Sequence, residues 1–353
     1  MDALLQAGLS PEVLDAQALE HWMSKSNLGD GAIQDAEIIS GGTQNILVRL
    51  RRADREYILR RPPQHLRATS NAALLREMRI LEALVDTDVP APRIVAACRD
   101  ESVLGGGVFY LMEPVIGFNA HQELPPLHSG DATIRHDMGL EAVRGLAALA
   151  AVEHHPAGLL EFDRAGDFPK RQVPRWMREL NGYADIPGYP GIDLPHLLQV
   201  ANWLDQNLPA TWRPGVMHGD YHLANLMFST DGPQLAAIVD WEMWTIGDPL
   251  LDLGWLLATW PSRPGASVVG EALAAAGNVA APEELAEEYA RLTGADLSNL
   301  KWYVVLACFK LGILLEGTHA RACAGHADTE IGQNMHARAV DLFEFAAHTM
   351  ASR

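Results

Sequence analysis

The chain has 353 residues, of which 48% are hydrophobic and 20% charged, and its formal net charge is −18. Such a composition belongs to a folded protein rather than a disordered one, and the length exceeds one ordinary core, so two domains are expected. So acidic a chain lacks the cationic footprint that a nucleic-acid partner or an anionic membrane surface demands, and it mildly favours cationic small molecules.

Cys98, Cys308 and Cys323 lie far apart, without metal-ligand spacing and in a number that cannot fully pair. That suits a reducing cytosol, so a cytoplasmic location is expected. The first thirty residues hold no basic stretch followed by an apolar core and do not read as a signal peptide. The longest apolar run, Trp302 to Leu315, is broken by Lys310 and is too short to cross a bilayer; it reads as a buried helix, and no membrane insertion is expected.

In chain order, Ser10-Pro11-Glu12 opens a helix reaching about Lys25, and Asn27 to Gly31 ends it. Three β-like runs, 37–39, 46–50 and 57–60, follow at the spacing of a meander. Between the first two, Ser40-Gly41-Gly42-Thr43-Gln44-Asn45 is a strand-glycine-strand arrangement whose backbone N–H groups can fold over ATP phosphates, with Gly41, Gly42 and Thr43 as the contacts. It lacks the Gly-Lys-Ser/Thr of a Walker A loop, and adjacent glycines also describe a plain hairpin turn. Ser70 is placed to cap a helix over roughly Asn71 to Val85, where Leu74, Met78, Leu81 and Val85 recur at helical spacing. Glu77 falls at the edge of that face, where a carboxylate is costly unless paired; an exposed glutamate is the other reading. Strands are expected at 93–98 and 108–113, the second running into Pro114-Val115-Ile116-Gly117. From about Phe118 helical patterns dominate, including Leu250 to Trp260 behind an Asp248-Pro249 start, and Leu300 to Glu316, apolar nearly all round.

Against that background stands Met217-His218-Gly219-Asp220-Tyr221-His222-Leu223-Ala224-Asn225, followed by Val239-Asp240-Trp241-Glu242. The segment between reads as a β-hairpin with its turn at Asp231-Gly232, and a turn centred near residues 232 and 233 would pair Asn225 with Asp240. An amide oxygen and a carboxylate would then meet as hard ligands for Mg²⁺ on nucleotide phosphates. Asp220, on an irregular loop, is placed to accept a proton from an attacking hydroxyl. The bland alternative is a solvated loop acid, a turn Asn and a strand-end Asp. Gly247-Asp248-Pro249 and Asp252-Leu253-Gly254, which follow, make chance a poor explanation.

With these motifs the chain resembles the aminoglycoside phosphotransferase and choline kinase-like branch of the protein-kinase-like fold. There H-G-D-x-x-x-x-N replaces the kinase H-R-D-x-x-x-x-N, and D-W-E or D-x-D replaces D-F-G. The resemblance covers about residues 36 to 320. It implies an α+β, bilobal fold: an N-terminal antiparallel sheet with one helix, and a larger, mainly helical C-terminal lobe. The expected divisions are an N-terminal helix at 1–26, a nucleotide-binding N-lobe at 27–115 and a helical C-lobe with the catalytic loop at 116–353. Carried over by position, Asp220 is the catalytic base, and Asn225 and Asp240 are the metal ligands. Arg60, in Leu59-Arg60-Arg61-Pro62-Pro63, clamps phosphate with Glu77 as its partner; the fold usually has lysine there, and strand alternation leaves Arg60 and Arg61 as rivals. Backbone groups near Glu113 and Val115 would meet adenine. Asp248 either caps its helix or braces the catalytic loop, and Asp252 is structural unless it meets His218. His218 would fix the loop by hydrogen bonds, His222 is a loop histidine, and Glu242 either assists a second metal or ends a strand.

The implied reaction is Mg²⁺-dependent transfer of the γ-phosphoryl group of ATP, with GTP left open, to the hydroxyl of a small molecule. No Ala-Pro-Glu and no activation segment follow Asp240, which weakens a protein acceptor. Residues 57–63 and Leu314-Leu315-Glu316-Gly317 are similar to the acyl-CoA-dehydrogenase-associated phosphotransferases, which carry arginine at the third strand and imply a hydroxyacyl or lipid-derived alcohol. Aminoglycosides, which need several acids from C-terminal helices, and choline-like alcohols are the other acceptors; Glu287 and Glu288, in the stretch 284–289, are candidates for such acids, with solvated helix surface as the commoner reading. A catalytically silent nucleotide-binding regulator is the alternative from a different class, and the retention of Asp220, Asn225 and Asp240 speaks against it.

Overall fold

The computed structural model describes residues 14–39, 45–63, 69–121, 123–155, 158–162, 166–261 and 270–352. The chain divides into two compact units, Met1–Ile116 with Ala237–Glu242, and Gly117–Ala236 with Met243–Arg353.

The first unit begins, as described, with helix α1 (Ala16–Lys25), whose N-terminus is capped by the Asp15 carboxylate accepting from the Ala18 N–H at 3.0 Å. The expected start at Ser10-Pro11 lies outside the described residues. Strands β1 (Ile33–Ile39), β2 (Ile46–Arg52), β3 (Arg55–Arg61), β4 (Ile94–Cys98) and β5 (Phe109–Met112) form one antiparallel sheet ordered β1-β2-β3-β5-β4. Leu19 and Met23 of α1 bury against Val48, Leu50, Tyr57, Leu59 and Phe109, so this helix shares the sheet's core. Trp22 meets Phe109 edge-on at 4.7 Å, a favoured aromatic geometry.

Helix α2 (Ser70–Leu84) buries Leu74, Glu77, Met78 and Leu81. Ser70 is its first helical residue rather than its cap, the cap position falling to Thr69 without a side-chain bond, and Val85 stands past the helix end, 38% exposed. The short segment Ala237–Glu242 is anchored in this unit by the Ile238 N–H, which donates to the Pro90 carbonyl at 2.7 Å. Trp241 Nε1 donates back to the Ile238 carbonyl at 2.8 Å.

In the second unit β6 (Phe118–Asn119), β7 (Gly215–Met217), β8 (Leu226–Phe228) and β10 (Thr245–Gly247) make two short antiparallel pairs, β6 with β8 and β7 with β10. After β8 the turn is closed by the Ser229 N–H on the Gln234 carbonyl at 2.9 Å, and β9 (Leu235–Ile238) follows. The ladder expected to pair Asn225 with Asp240 contains neither residue. Asn225 ends a 3₁₀ turn at Leu223–Asn225, β9 stops at Ile238, and Asp240 adopts φ +64°, a left-handed conformation that an extended strand does not accommodate.

The helices of this unit are α3 (Pro126–Gly130), α4 (Ala132–Ala150), α5 (Phe168–Gly182), α6 (Leu197–Gln206), α7 (Leu250–Thr259), α8 (Glu271–Ala276), α9 (Pro282–Thr293), α10 (Leu300–Cys323) and α11 (Thr329–Ala351). α10 is buried along most of its length between α7 and α11, as an all-round apolar sequence requires, and it runs seven residues beyond the expected end at Glu316. Gly254 lets α7 approach it: a Cβ there would lie 2.7 Å from the Tyr303 backbone. Among the described residues no helix is long and apolar enough to cross a membrane.

Candidate functional site

In the first unit, antiparallel register sets Arg60 of β3 opposite Tyr110 of β5. From there the Arg60 side chain, 8% exposed, joins two carboxylates: Nε lies 3.0 Å from Glu77 Oε2, and Nη2 donates to Asp240 Oδ1 at 3.0 Å. Burial works to discharge the guanidinium, but Glu77, then Tyr110 and Asp240, hold its pKa above the ordinary value. Glu77 is pushed up to about 7 by burial, against which Arg60 acts. Arg61 faces elsewhere, donating to the backbone carbonyls of Pro62 at 3.3 Å and Leu104 at 3.4 Å. Arg60 thus meets Glu77 and Asp240, whereas these two bonds of Arg61 go to backbone carbonyls.

Two other expected contacts belong to this unit. Gly41, Gly42 and Thr43 lie outside the described residues. The Glu113 N–H is committed to the Arg93 carbonyl at 3.0 Å.

In the second unit the loop after β7 is held through its backbone. The N–H groups of His218 and Gly219 both donate to the buried Asp252 carboxylate of α7, at 2.6 and 2.8 Å. The Gly219 carbonyl accepts from Lys310 Nζ of α10 at 2.6 Å. Gly219 itself has φ +83°, and a Cβ there would overlap the Met243 carbonyl oxygen, so no other residue fits the turn without strain. Tyr221, next along, is buried with its hydroxyl on the Ala142 carbonyl at 2.7 Å.

Between these anchors sits Asp220. Asn225 Nδ2 donates to its backbone oxygen at 2.9 Å and to Oδ2 at 3.0 Å, and His222 Nε2 lies 3.2 Å from Oδ1. Burial alone would raise the Asp220 pKa, but His222, His218 and Lys310 hold the carboxyl well below the usual range, so it is ionised. Asp252 is pushed up to about 6 by burial, opposed by the two backbone N–H groups and Lys310. Lys310 is brought down to about 8 by burial, opposed by Asp220 and Asp252.

The loop brace is therefore Asp252, not Asp248. Asp248 caps α7 through the Leu250 N–H at 3.0 Å and also accepts from the Tyr303 hydroxyl at 2.6 Å. In sequence Lys310 is an interruption of an apolar run and His222 a loop histidine; a lone lysine inside an all-round apolar helix is the signal that a buried polar partner awaits it. Glu242 lies in the 3₁₀ turn Trp241–Met243. Glu288 is held by Arg291 at 2.6 and 2.7 Å, with Arg144 at 3.9 Å.

Residues 35–288 match the family model described as phosphotransferase enzyme family. Acyl-CoA dehydrogenase family member 10 of Mus musculus is 27% identical over 323 residues, which are 90% of this chain and 29% of that protein. Acyl-CoA dehydrogenase family member 11 of Homo sapiens is 27% identical over 326 residues, 90% of this chain and 40% of the relative. The chain therefore spans well under half the length of the curated relatives it matches. Among solved structures, one from Ralstonia eutropha, described as a candidate aminoglycoside phosphotransferase, is 28% identical with a TM-score of 0.74, covering 94% of this chain and 98% of its own. A ternary complex of aminoglycoside phosphotransferase APH(4)-Ia with ADP and hygromycin B, 14% identical over 95% of this chain and 100% of its own, has the same protein-kinase-like fold at a TM-score of 0.57.

Proposed function

Because the chain belongs to the phosphotransferase enzyme family, we propose that it moves the γ-phosphoryl group of ATP to the hydroxyl of a small molecule. The observation that carries this reading is the Asp220 carboxylate, held by Asn225 and His222 on a loop whose backbone is pinned by Asp252 and Lys310. In it, Asp220 orients the acceptor hydroxyl and takes its proton as the oxygen attacks phosphorus, a role of positioning and charge more than covalent chemistry. His222 and Asn225 keep the carboxylate in one orientation.

Arg60 is the proposed phosphate clamp, with Glu77 fixing its direction. The Glu113 carbonyl and Val115 N–H are the proposed adenine contacts, and Gly41, Gly42 and Thr43 the proposed backbone cradle of the phosphates. Asn225 and Asp240 are each proposed as a magnesium ligand, on donor type alone. Asn225 spends its amide nitrogen on Asp220, leaving a hard amide oxygen, and Asp240 is a carboxylate with 40% of its side chain exposed. When bound, Mg²⁺ would neutralise charge on the β- and γ-phosphates.

For the acceptor we favour a hydroxyacyl or other lipid-derived alcohol. The curated relatives named acyl-CoA dehydrogenase family members 10 and 11 support it. Glu288, one of the acids that an aminoglycoside site would draw on, is engaged by Arg291 instead. The test is ADP release from Mg²⁺-ATP against hydroxyacyl-CoA compounds, aminoglycosides, choline-type alcohols and sugars, with Asp220→Ala alongside. Release that depends on one acceptor class and vanishes in the variant, while nucleotide affinity persists, is the expected result. Silence across the panel together with nucleotide binding would favour the regulatory reading. An Asp240→Ala chain that binds Mg²⁺-ATP as tightly as the wild type would overturn the metal assignment.

A further inference from the structure

The second unit carries another polar cluster, made from residues that phosphoryl transfer does not use. Glu316 on α10 is fully buried. Its Oε1 accepts from the Tyr189 hydroxyl at 2.6 Å, and its Oε2 lies 2.7 Å from Nδ1 of His336, which α11 contributes. His319, three residues after Glu316 and so on the same helix face, stacks on His336 with ring centroids 4.8 Å apart and planes at 36°. Its Nε2 is 3.7 Å from Cys323 Sγ, while its Nδ1 is buried without a hydrogen-bond partner.

Each of these features is costly by itself. A buried carboxylate calls for a cation; among the described residues no lysine or arginine forms an ion pair with Glu316, and His336 supplies a charge there only when its imidazole is protonated. A buried imidazole nitrogen left without a partner forfeits its solvation. One divalent ion answers both. A Glu-x-x-His pair on one helix, faced by a ligand from an antiparallel neighbour, is a recurrent way for helices to hold metal. One donor atom from each of Glu316, His319 and His336 falls within 4.8 Å of the others. Ligands around a tetrahedral ion stand about 3.4 Å apart at ordinary bond lengths, between the 2.7 Å of the Glu316–His336 pair and the 4.8 Å that bounds the set.

We propose that Glu316, His319 and His336 form a binding site for one borderline divalent transition-metal ion of the zinc class, made of donors other than the proposed magnesium ligands. Two imidazoles and one carboxylate suit Zn²⁺ or Co²⁺ and not Mg²⁺, which takes oxygen. Tyr189, whose hydroxyl donates to Glu316 Oε1, is the outer partner that orients Glu316. Three protein ligands leave a fourth position for water or another donor.

The test is titration of chelator-treated full chain with Co²⁺ in the absence of nucleotide. The expected result is a visible tetrahedral cobalt band that saturates at one ion per chain and is displaced by Zn²⁺. His319→Gln and His336→Gln are each expected to abolish the band while the far-ultraviolet dichroism stays that of the wild type, and Tyr189→Phe to weaken binding by roughly 10–100-fold. No saturable band, or a band that survives both histidine variants, overturns the proposal. Should a histidine variant not fold, X-ray absorption on zinc-loaded wild type decides: a shell with two imidazoles supports the site, and one without imidazole overturns it.

Discussion

Lys310 Nζ donates to the carbonyl oxygen of Gly219 at 2.6 Å, so a lysine buried in the middle of α10 fixes the residue immediately before Asp220. Its ammonium also lies 4.2 Å from the ring centroid of Trp255 and 5.5 Å from that of Trp176. Asp252 takes the N–H groups of His218 and Gly219 while Lys310 takes the Gly219 carbonyl, so both polar groups of Gly219 are held. A loop held in this way needs no reorganisation when charge moves beside it.

Lys310→Met preserves bulk but leaves the buried Gly219 carbonyl without this donor and removes the positive charge that favours ionised Asp220 and Asp252. A loss of about 1–3 kcal/mol in stability is expected, as for a buried acceptor left unsatisfied. Turnover should fall further than ATP affinity. Chemical denaturation and steady-state kinetics check this; a variant with wild-type kcat would contradict the bracing role.

Gly219→Ala forces a Cβ onto the Met243 carbonyl at a left-handed position. Backbone strain of that kind costs on the order of 1–3 kcal/mol, and the overlap adds to it. The expected outcome is a lower melting temperature and a depressed kcat, read by calorimetry and by ADP release.

The two arginines of β3 should separate in kinetics. Arg60→Ala is expected to raise KM for ATP by roughly tenfold or more, a loss of about 1.4 kcal/mol of binding. Arg61→Ala, which removes bonds to the Pro62 and Leu104 carbonyls, should lower stability and leave KM near the wild-type value. The reverse pattern would reassign the clamp.

Glu77 gives a pH signature. Its ordinary pKa of 4.5 is raised to about 7 in the folded chain, chiefly by burial. Below pH 4.5 it is protonated in both states; between the two values only the folded chain keeps the proton, so stability falls as pH rises through that window. Relative to Glu77→Gln, the wild type should lose stability from pH 5 to 7 with a slope of at most about 1.4 kcal/mol per pH unit. Parallel curves for the two proteins would refute the shift.

The sequence by itself determined the parts that are written locally. The five strands of the first unit follow from runs of β-formers between turn residues. The helices over 71–85, 250–260 and 300–316 follow from apolar spacing, and the family follows from His218-Gly219-Asp220 with Asn225 five residues after Asp220 and Asp240 fifteen further on. Those signals need only neighbours along the chain. What the tertiary structure decided depends on groups that meet across long separations: Lys310 on Gly219 over 91 residues, Asp252 on His218 over 34, and Arg60 on Asp240 over 180. Strand alternation cannot say which of two adjacent arginines finds two acids, and a turn centre cannot reveal that Asp240 leaves the ladder in a left-handed conformation. A lone lysine in an apolar helix reads as a defect until the carbonyl and carboxylate that need its charge are folded against it.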